Sequence, residues 1–215
     1  MKGDFHVRFC ESLRGKFPRA TRLLILCESE SGARHARSVA TTYLEETLKL
    51  TVNTDKTHIA HSDTGVKFLG VEIRTGFTRI QEQKVKAFKA KVKQITRRNT
   101  GHNLAGVIRE LNPVLHGFVN YFRIANCKSV VKALMSWIRH RLRAIQMKQW
   151  KKPSRLHRRL RQLGYKPPFK WIRMRSWRNS ASPLASYAMP NNWLHNEQGL
   201  MDMVNVDVGI SVSVI

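Results

Sequence analysis

Hydrophobic and polar positions change their period twice along the chain. Up to residue 22 the order is polar and irregular, punctuated by Gly3, Gly15 and Pro18. Leu23-Leu24-Ile25-Leu26-Cys27 is a short apolar run of strand length. Ala33 to Leu48 follows with helical spacing, in which Val39, Tyr43, Leu44 and Leu48 can share one face. Leu50 to Asn53 is β-prone. Val66 to Ile73, the turn residues Arg74-Thr75-Gly76 and Phe77 to Ile80 predict a β-hairpin whose turn carries the glycine.

From Gln83 onward the pattern becomes helical. Val85, Phe88, Val92 and Ile95 fall at i, i+3, i+7 and i+10, and Lys84, Lys86, Lys89, Lys91 and Lys93 occupy the rest of the circumference. Gly101 breaks this helix. A second starts near Asn103, buries Leu104, Val107, Ile108 and Leu111, and meets Pro113, which should interrupt or kink it. Val114 to Ile124 continues apolar and aromatic. A third helix, from about Ser129 to Trp150, turns Val130, Val131, Leu134, Trp137, Ile138, Leu142 and Ile145 inward and Arg139, Arg141, Arg143 and Lys148 outward. Three such helices make a small bundle. Beyond Pro153 the chain is short-period, basic and aromatic, and from Val204 to Val214 it alternates strictly, as an edge strand or terminal tail would. The class expected is α+β, divided as an irregular segment over 1–22, an α/β unit over 23–82, a helical unit over 83–150, a basic aromatic appendix over 151–200 and a tail over 201–215.

Charge sharpens this picture. The chain carries 39 Lys and Arg against 14 Asp and Glu, a formal +25. Between Lys84 and Arg178 there are 26 Lys and Arg and one acid, Glu110. So positive a surface repels itself, and a phosphate backbone relieves that repulsion while releasing counterions, so binding should depend strongly on salt. The strongest candidates for phosphate contact are Arg139, Arg141, Arg143, Lys148, Lys151, Lys152, Arg155, Arg158, Arg159 and Arg161, preceded by the lysines of the first helix with Arg97 and Arg98. Trp150, Trp171 and Trp177 are candidates for stacking on unpaired bases, although tryptophan is more often core. His116, Asn120 and Arg123 can reach a ligand from the second helix, whereas Tyr121 reads as packing. The competing view is a merely basic, ribosomal-type protein.

Cys10, Cys27 and Cys127 form no CxxC pair, and the nine histidines show no metal-ligand spacing. No run approaches the roughly 20 apolar residues of a membrane span, and the first residues lack a secretory apolar segment. A reducing, cytoplasmic setting without a metal or membrane partner is expected.

Several segments in order resemble the group II intron-encoded reverse transcriptase/maturase family. LTVNTDKT at 50–57 resembles its palm segment ending in Lys-Thr, and Phe68-Leu69-Gly70 its FLG hairpin. LNPVLHGFVNYFRIA at 111–125, Ser136-Trp137-Ile138-Arg139 and Trp150-Lys151 resemble its thumb and maturase-specific region, and NSASPLASYAM at 179–189 its ending. The resemblance covers roughly residues 23–200. It implies the C-terminal part of such a protein: a residual palm edge of β-α-β and hairpin, a helical thumb bundle and a basic maturase appendix. It also implies structured intron RNA as partner, with primer–template duplex a further candidate, and places Lys56 near the family's primer terminus. Without a polymerase site beside it, Lys56 reads rather as a surface charge, and Gly70 as a backbone bulge or close approach.

One departure decides what chemistry to expect. The family's polymerase centre needs adjacent carboxylates holding magnesium, and the matching positions are Arg19-Ala20-Thr21-Arg22. A guanidinium repels magnesium. The fingers, the earlier palm strands and the cysteine-rich endonuclease module have no counterpart in these residues, so no cofactor, polymerase activity or second-strand cleavage is expected. A divergent start, a truncated gene or a shifted reading frame would each give this appearance. The rival readings are a reverse transcriptase completed by residues supplied elsewhere and a non-functional remnant.

Overall fold

The structure, a computed structural model, describes residues 5–10, 22–99, 101–123 and 125–205. The fold is α+β, in two compact units that divide between Gln81 and Glu82.

The first unit contains two three-stranded antiparallel sheets. One has β1 (Phe5–Cys10) at its centre, between β2 (Arg22–Cys27) and β3 (His58–His61), with Val7 opposite both Ile25 and Ile59. At residues 5–10 this corrects the irregular reading of the segment 1–22, of which 1–4 and 11–21, positions 19–21 among them, lie outside the described residues: FHVRFC alternates apolar and polar residues, a period of two too brief to register beside the longer apolar run at 23–27.

Helix α1 (Glu30–Thr42) starts where the Ser29 hydroxyl accepts from Gly32 N at 3.1 Å, with Glu30 in its first turn bonded to Arg34 at 2.6 Å. Its inward stripe is Ala33, Ala40 and Leu44, packed with Ile25, Cys27, Val52 and Ile59. Val39, Tyr43 and Leu48, expected on the buried face, are about half exposed. Alanines permit a close approach of helix to sheet, and the larger residues are left outside. A π-helical turn, Tyr43–Thr47, ends the helix, with Leu48 N bonded to Tyr43 O and Leu50 N to Leu44 O.

NTDKT is a self-capped turn. Asn53 accepts from Lys56 N at 3.1 Å and closes the 3-10 helix Thr54–Lys56, while the Thr57 hydroxyl donates to Asn53 O at 2.7 Å. The second sheet runs β4 (Val66–Phe68), β5 (Val71–Arg74) and β6 (Phe77–Ile80) as two successive hairpins rather than one. Leu69 and Gly70, at φ 45° and 84°, form the first turn, so Gly70 marks a tight turn and not a bulge. At Gly65, φ is 78° and an added Cβ would lie 2.9 Å from Glu72 Oε1. Glu72 is buried and accepts from Arg74 Nε at 2.8 Å and Arg79 Nε at 2.9 Å.

In the second unit α2 (Glu82–Ile95) buries Phe88, Val92 and Ile95, and α3 (Leu104–Phe122) buries eight apolar side chains from Leu104 to Phe122. Phe88 meets Phe118 at a ring separation of 4.0 Å, and Phe118 meets Phe122 at 4.9 Å. Pro113 does not interrupt α3. A proline inside a helix costs about 3 kcal/mol, and burial of Leu111 and Leu115 on either side offsets it. Tyr121, expected to pack, is 54% exposed and touches Phe122 edge-on.

Helix α4 (Lys128–Trp150) is enclosed on several sides, burying Leu134, Met135, Ile138, Leu142, Ala144, Ile145 and Met147. Helix α5 (Pro153–Gln162), with proline in its first turn, sends Leu156 and Leu160 into a cluster with Met147, Ile172, Met174, Ala185, Ala188 and Met189. Short helices α6 (Trp177–Ser180) and α7 (Pro183–Ala188) and a π-helical turn, Trp193–Glu197, complete the appendix. The Asn112 amide, midway along α3, donates to Gly199 O at 2.8 Å and accepts from Met201 N at 3.0 Å. The alternating tail beyond Asn205 lies outside the described residues.

Ile138 is fully buried. Replacing it with Ala is expected to cost about 2–5 kcal/mol in urea unfolding of the second unit. In the first unit, hydrogen bonds from Arg74 and then Arg79 hold the Glu72 carboxyl below its ordinary range. Its contribution is therefore present above the unfolded carboxylate pKa and lost as pH falls through the lower folded value. Glu72→Gln should flatten the acid limb of thermal stability against pH; an unchanged limb would show that the Glu72 ion pairs add no stability.

Candidate nucleic-acid interface

The basic residues fall into three structural situations. On α2, Lys84, Lys86, Lys89, Lys91 and Lys93 are all exposed. At ~100° per residue, Lys84 and Lys91 flank one edge of the apolar stripe, and Lys86, Lys89 and Lys93 lie some 140–200° away. They encircle the helix instead of sharing one face. Lys86 also pairs with Glu82 at 2.8 Å, so that lysine has the compensating acid that the sequence reading did not assign it. Lys56 is exposed in the first unit, on the capped turn described above.

A second set is clasped. Arg141 donates through Nε to Thr96 Oγ1 at 2.5 Å and through an Nη to Thr96 O at 3.1 Å, tying α4 to the end of α2. Its guanidinium lies 5.2 Å from the Trp137 ring and 4.8 Å from that of Trp177, which also receives Arg98 at 4.6 Å. Burial, and then the neighbouring Arg98, push the Arg141 pKa down. Arg98 donates to Arg175 O at 2.5 Å, and Lys148 Nζ donates to Arg98 O at 2.9 Å and to the Asn99 side chain. Arg98, Asn99, Lys148 and Arg175 line a cleft of about 310 Å³. Thr96, Asn99 and Arg175 were not singled out from the sequence; a threonine at the end of a helix carries no charge signal, and its role depends on an arginine 45 residues later.

Arg143 is a correction. Expected to face outward, it is 5% exposed, donating from Nε to Met189 O at 3.0 Å and from Nη2 to Asn191 Oδ1 at 2.9 Å. The third helix is covered by the appendix on that side, so the outward face of a free helix becomes interior.

The remaining positions are open. Arg97, Arg123, Lys151, Lys152, Arg155, Arg158 and Arg161 are exposed, and Arg139 and Arg159 partly so. His116, Asn120 and Arg123 lie at i, i+4 and i+7 on the exposed face of α3. Of the stacking candidates, Trp150 packs against the appendix core, Trp177 is engaged by two guanidiniums, and Trp171 is 65% exposed.

Residues 85–164 match the family model of the group II intron maturase-specific domain. The matched span begins in α2, contains α3, α4 and α5, and ends at Gly164. The matched span thus includes Arg139, Arg141, Arg143, Lys148 and the arginines of α5, while Arg175 and Trp177, which complete the clasp, lie beyond it. No curated protein matches the chain. Among the described residues no cluster of His, Cys, Asp or Glu could hold a metal ion, and no helix is long and apolar enough to cross a membrane.

Clasped and open cations should separate experimentally. Arg141→Ala is expected to destabilise the second unit by about 1.5–3 kcal/mol, the range for hydrogen bonds from a charged group. Lys89→Ala should change stability by less than about 0.5 kcal/mol. Equal effects in urea titrations would show that the Arg141 bonds to Thr96 add nothing to the fold.

Proposed function

We propose that this protein is a maturase-type RNA-binding protein, which holds structured group II intron RNA and steadies the ribozyme while the RNA performs the splicing chemistry. The observation that carries this reading is the coincidence of the maturase-specific match over 85–164 with a basic surface almost free of acids. Phosphate contacts fall to the open cations of α2, α4 and α5 and of the α4–α5 junction: Lys84, Lys89, Lys91, Lys93, Arg139, Lys151, Lys152, Arg155, Arg158 and Arg161. Arg141, Arg143 and Lys148 hold the surface in shape. Exposed Trp171 offers a face to an unpaired base.

The proposed role needs no protein-catalysed step. Arg19 to Arg22 carry no carboxylate at the positions that the family resemblance assigns to the metal-binding aspartates, so the reading gives this chain no polymerase centre of its own. Primer extension on a poly(A) template with oligo(dT) tests that half: robust incorporation by the purified chain overturns it. Competition tests the other half. Near physiological salt, intron RNA should resist displacement by an equal mass of tRNA, and ready displacement would leave only general polyanion affinity.

The ring of lysines adds a geometric expectation. One RNA surface can meet one flank of α2, so Lys84→Ala/Lys91→Ala and Lys89→Ala/Lys93→Ala should differ. The pair that faces RNA should lower the salt slope of binding by about 1 per lysine, and the other should leave it unchanged. Equal losses would require RNA to wrap the helix.

A further inference from the structure

A second basic cleft lies on the other side of α4. Arg139 and Arg141 are two residues apart, so ~200° of helix rotation separates them. On Arg139's side, Ser136, Arg139 and Arg143 follow one stripe of α4. Facing them are Ser186 of α7, Pro190 and Asn191, and together they line a cleft of about 320 Å³.

Three features set this cleft apart from a solvated patch. Arg143 is buried and held by Met189 O and Asn191 Oδ1, which fixes its guanidinium in place. Arg139 Nε is buried and has no hydrogen-bond partner among the described residues. Among those residues no carboxylate pairs with either guanidinium. Two guanidiniums brought together without an acid leave the cleft strongly positive. Burial, then Arg143 and Arg139, lower the pKa of His140 beside them. Arg139 as a residue is only partly buried, so an anion in the cleft can reach its guanidinium.

We propose that this cleft is a phosphate subsite, taking one phosphate group of RNA with the Arg139 guanidinium and the Ser136 and Ser186 hydroxyls as donors and Arg143 as the fixed charge. Donors that converge from α4 and from α7 suit a tetrahedral group better than a planar carboxylate. The identification of RNA as the source rests on the function proposed above; the affinity for phosphate does not. An internal phosphodiester and a 5′-terminal monophosphate present the same oxygens. Because the subsite lies across α4 from the Arg98–Lys148 cleft, RNA that fills both has to pass around this helix.

The test uses the full chain and its arginine Nε–H NMR resonances. Titration with inorganic phosphate should shift the Arg139 resonance saturably, and sodium chloride at matched ionic strength should not. In Arg139→Lys no other arginine resonance should respond saturably while the chain still melts cooperatively, and Ser136→Ala should weaken the Arg139 response several-fold. No saturable shift, or an equal one with chloride, overturns the proposal. A 5′-monophosphorylated RNA hairpin and its 5′-hydroxyl twin then serve as competitors for phosphate. Displacement by both assigns an internal diester, and displacement by the first alone assigns the terminal group. If both hairpins bind the chain and neither displaces phosphate, the subsite is not part of the RNA surface and the proposal fails. If neither hairpin binds while the Arg139 response stands, it is the RNA-binding function that falls.

Discussion

Two guanidiniums leave α4 on opposite sides and end on uncharged oxygens: Arg141 on the backbone and hydroxyl of Thr96, Arg143 on Met189 O and the Asn191 amide. The second unit is organised around that constraint. A buried cation is tolerated when its hydrogen bonds are satisfied, and carbonyls satisfy them without cancelling the charge. The same contacts that tie α2 and the appendix to α4 therefore leave the charges of Arg141 and Arg143 uncancelled. Pairing with carboxylates would have held the helices as well, at the loss of the field that attracts a polyanion.

The periodic elements were legible from sequence because large residues carried their pattern. Phe88, Val92 and Ile95 on α2, and Leu134, Ile138, Leu142 and Ile145 on α4, are buried as their spacing predicts. Where small or few residues carried the pattern, it was missed: Ala33 and Ala40, which share the inward stripe with the expected Leu44, and the six residues of β1, which pair with strands on both sides. Pro113 was a local signal that tertiary burial overrode.

Charge was legible in amount and not in use. Sequence reading treats every arginine on a helix as solvated until shown what packs over it. Lys89 and Arg143 both fitted a basic outward face, yet one stands in solvent and the other is interior. What separates them is the appendix returning over α4, a long-range event with no local trace. The polar partners of the clasp and the two clefts, Thr96 in the clasp and Asn99, Ser186 and Asn191 in the clefts, are ordinary residues whose meaning comes only from the arginines and lysine they meet.

The Asn112 clasp has a different kind of consequence. Its amide binds one backbone carbonyl and one backbone N–H of the segment at Gly199 to Met201, as a neighbouring strand would. Side chains in that segment are not read by this contact; Gly199, at φ 71°, and buried Leu200 are constrained by backbone and packing instead. The asparagine cannot change cheaply either, since aspartate would lose the donor and leucine both bonds. A single side chain in the middle of a helix thus acts as the last rung of a ladder that has no other strand.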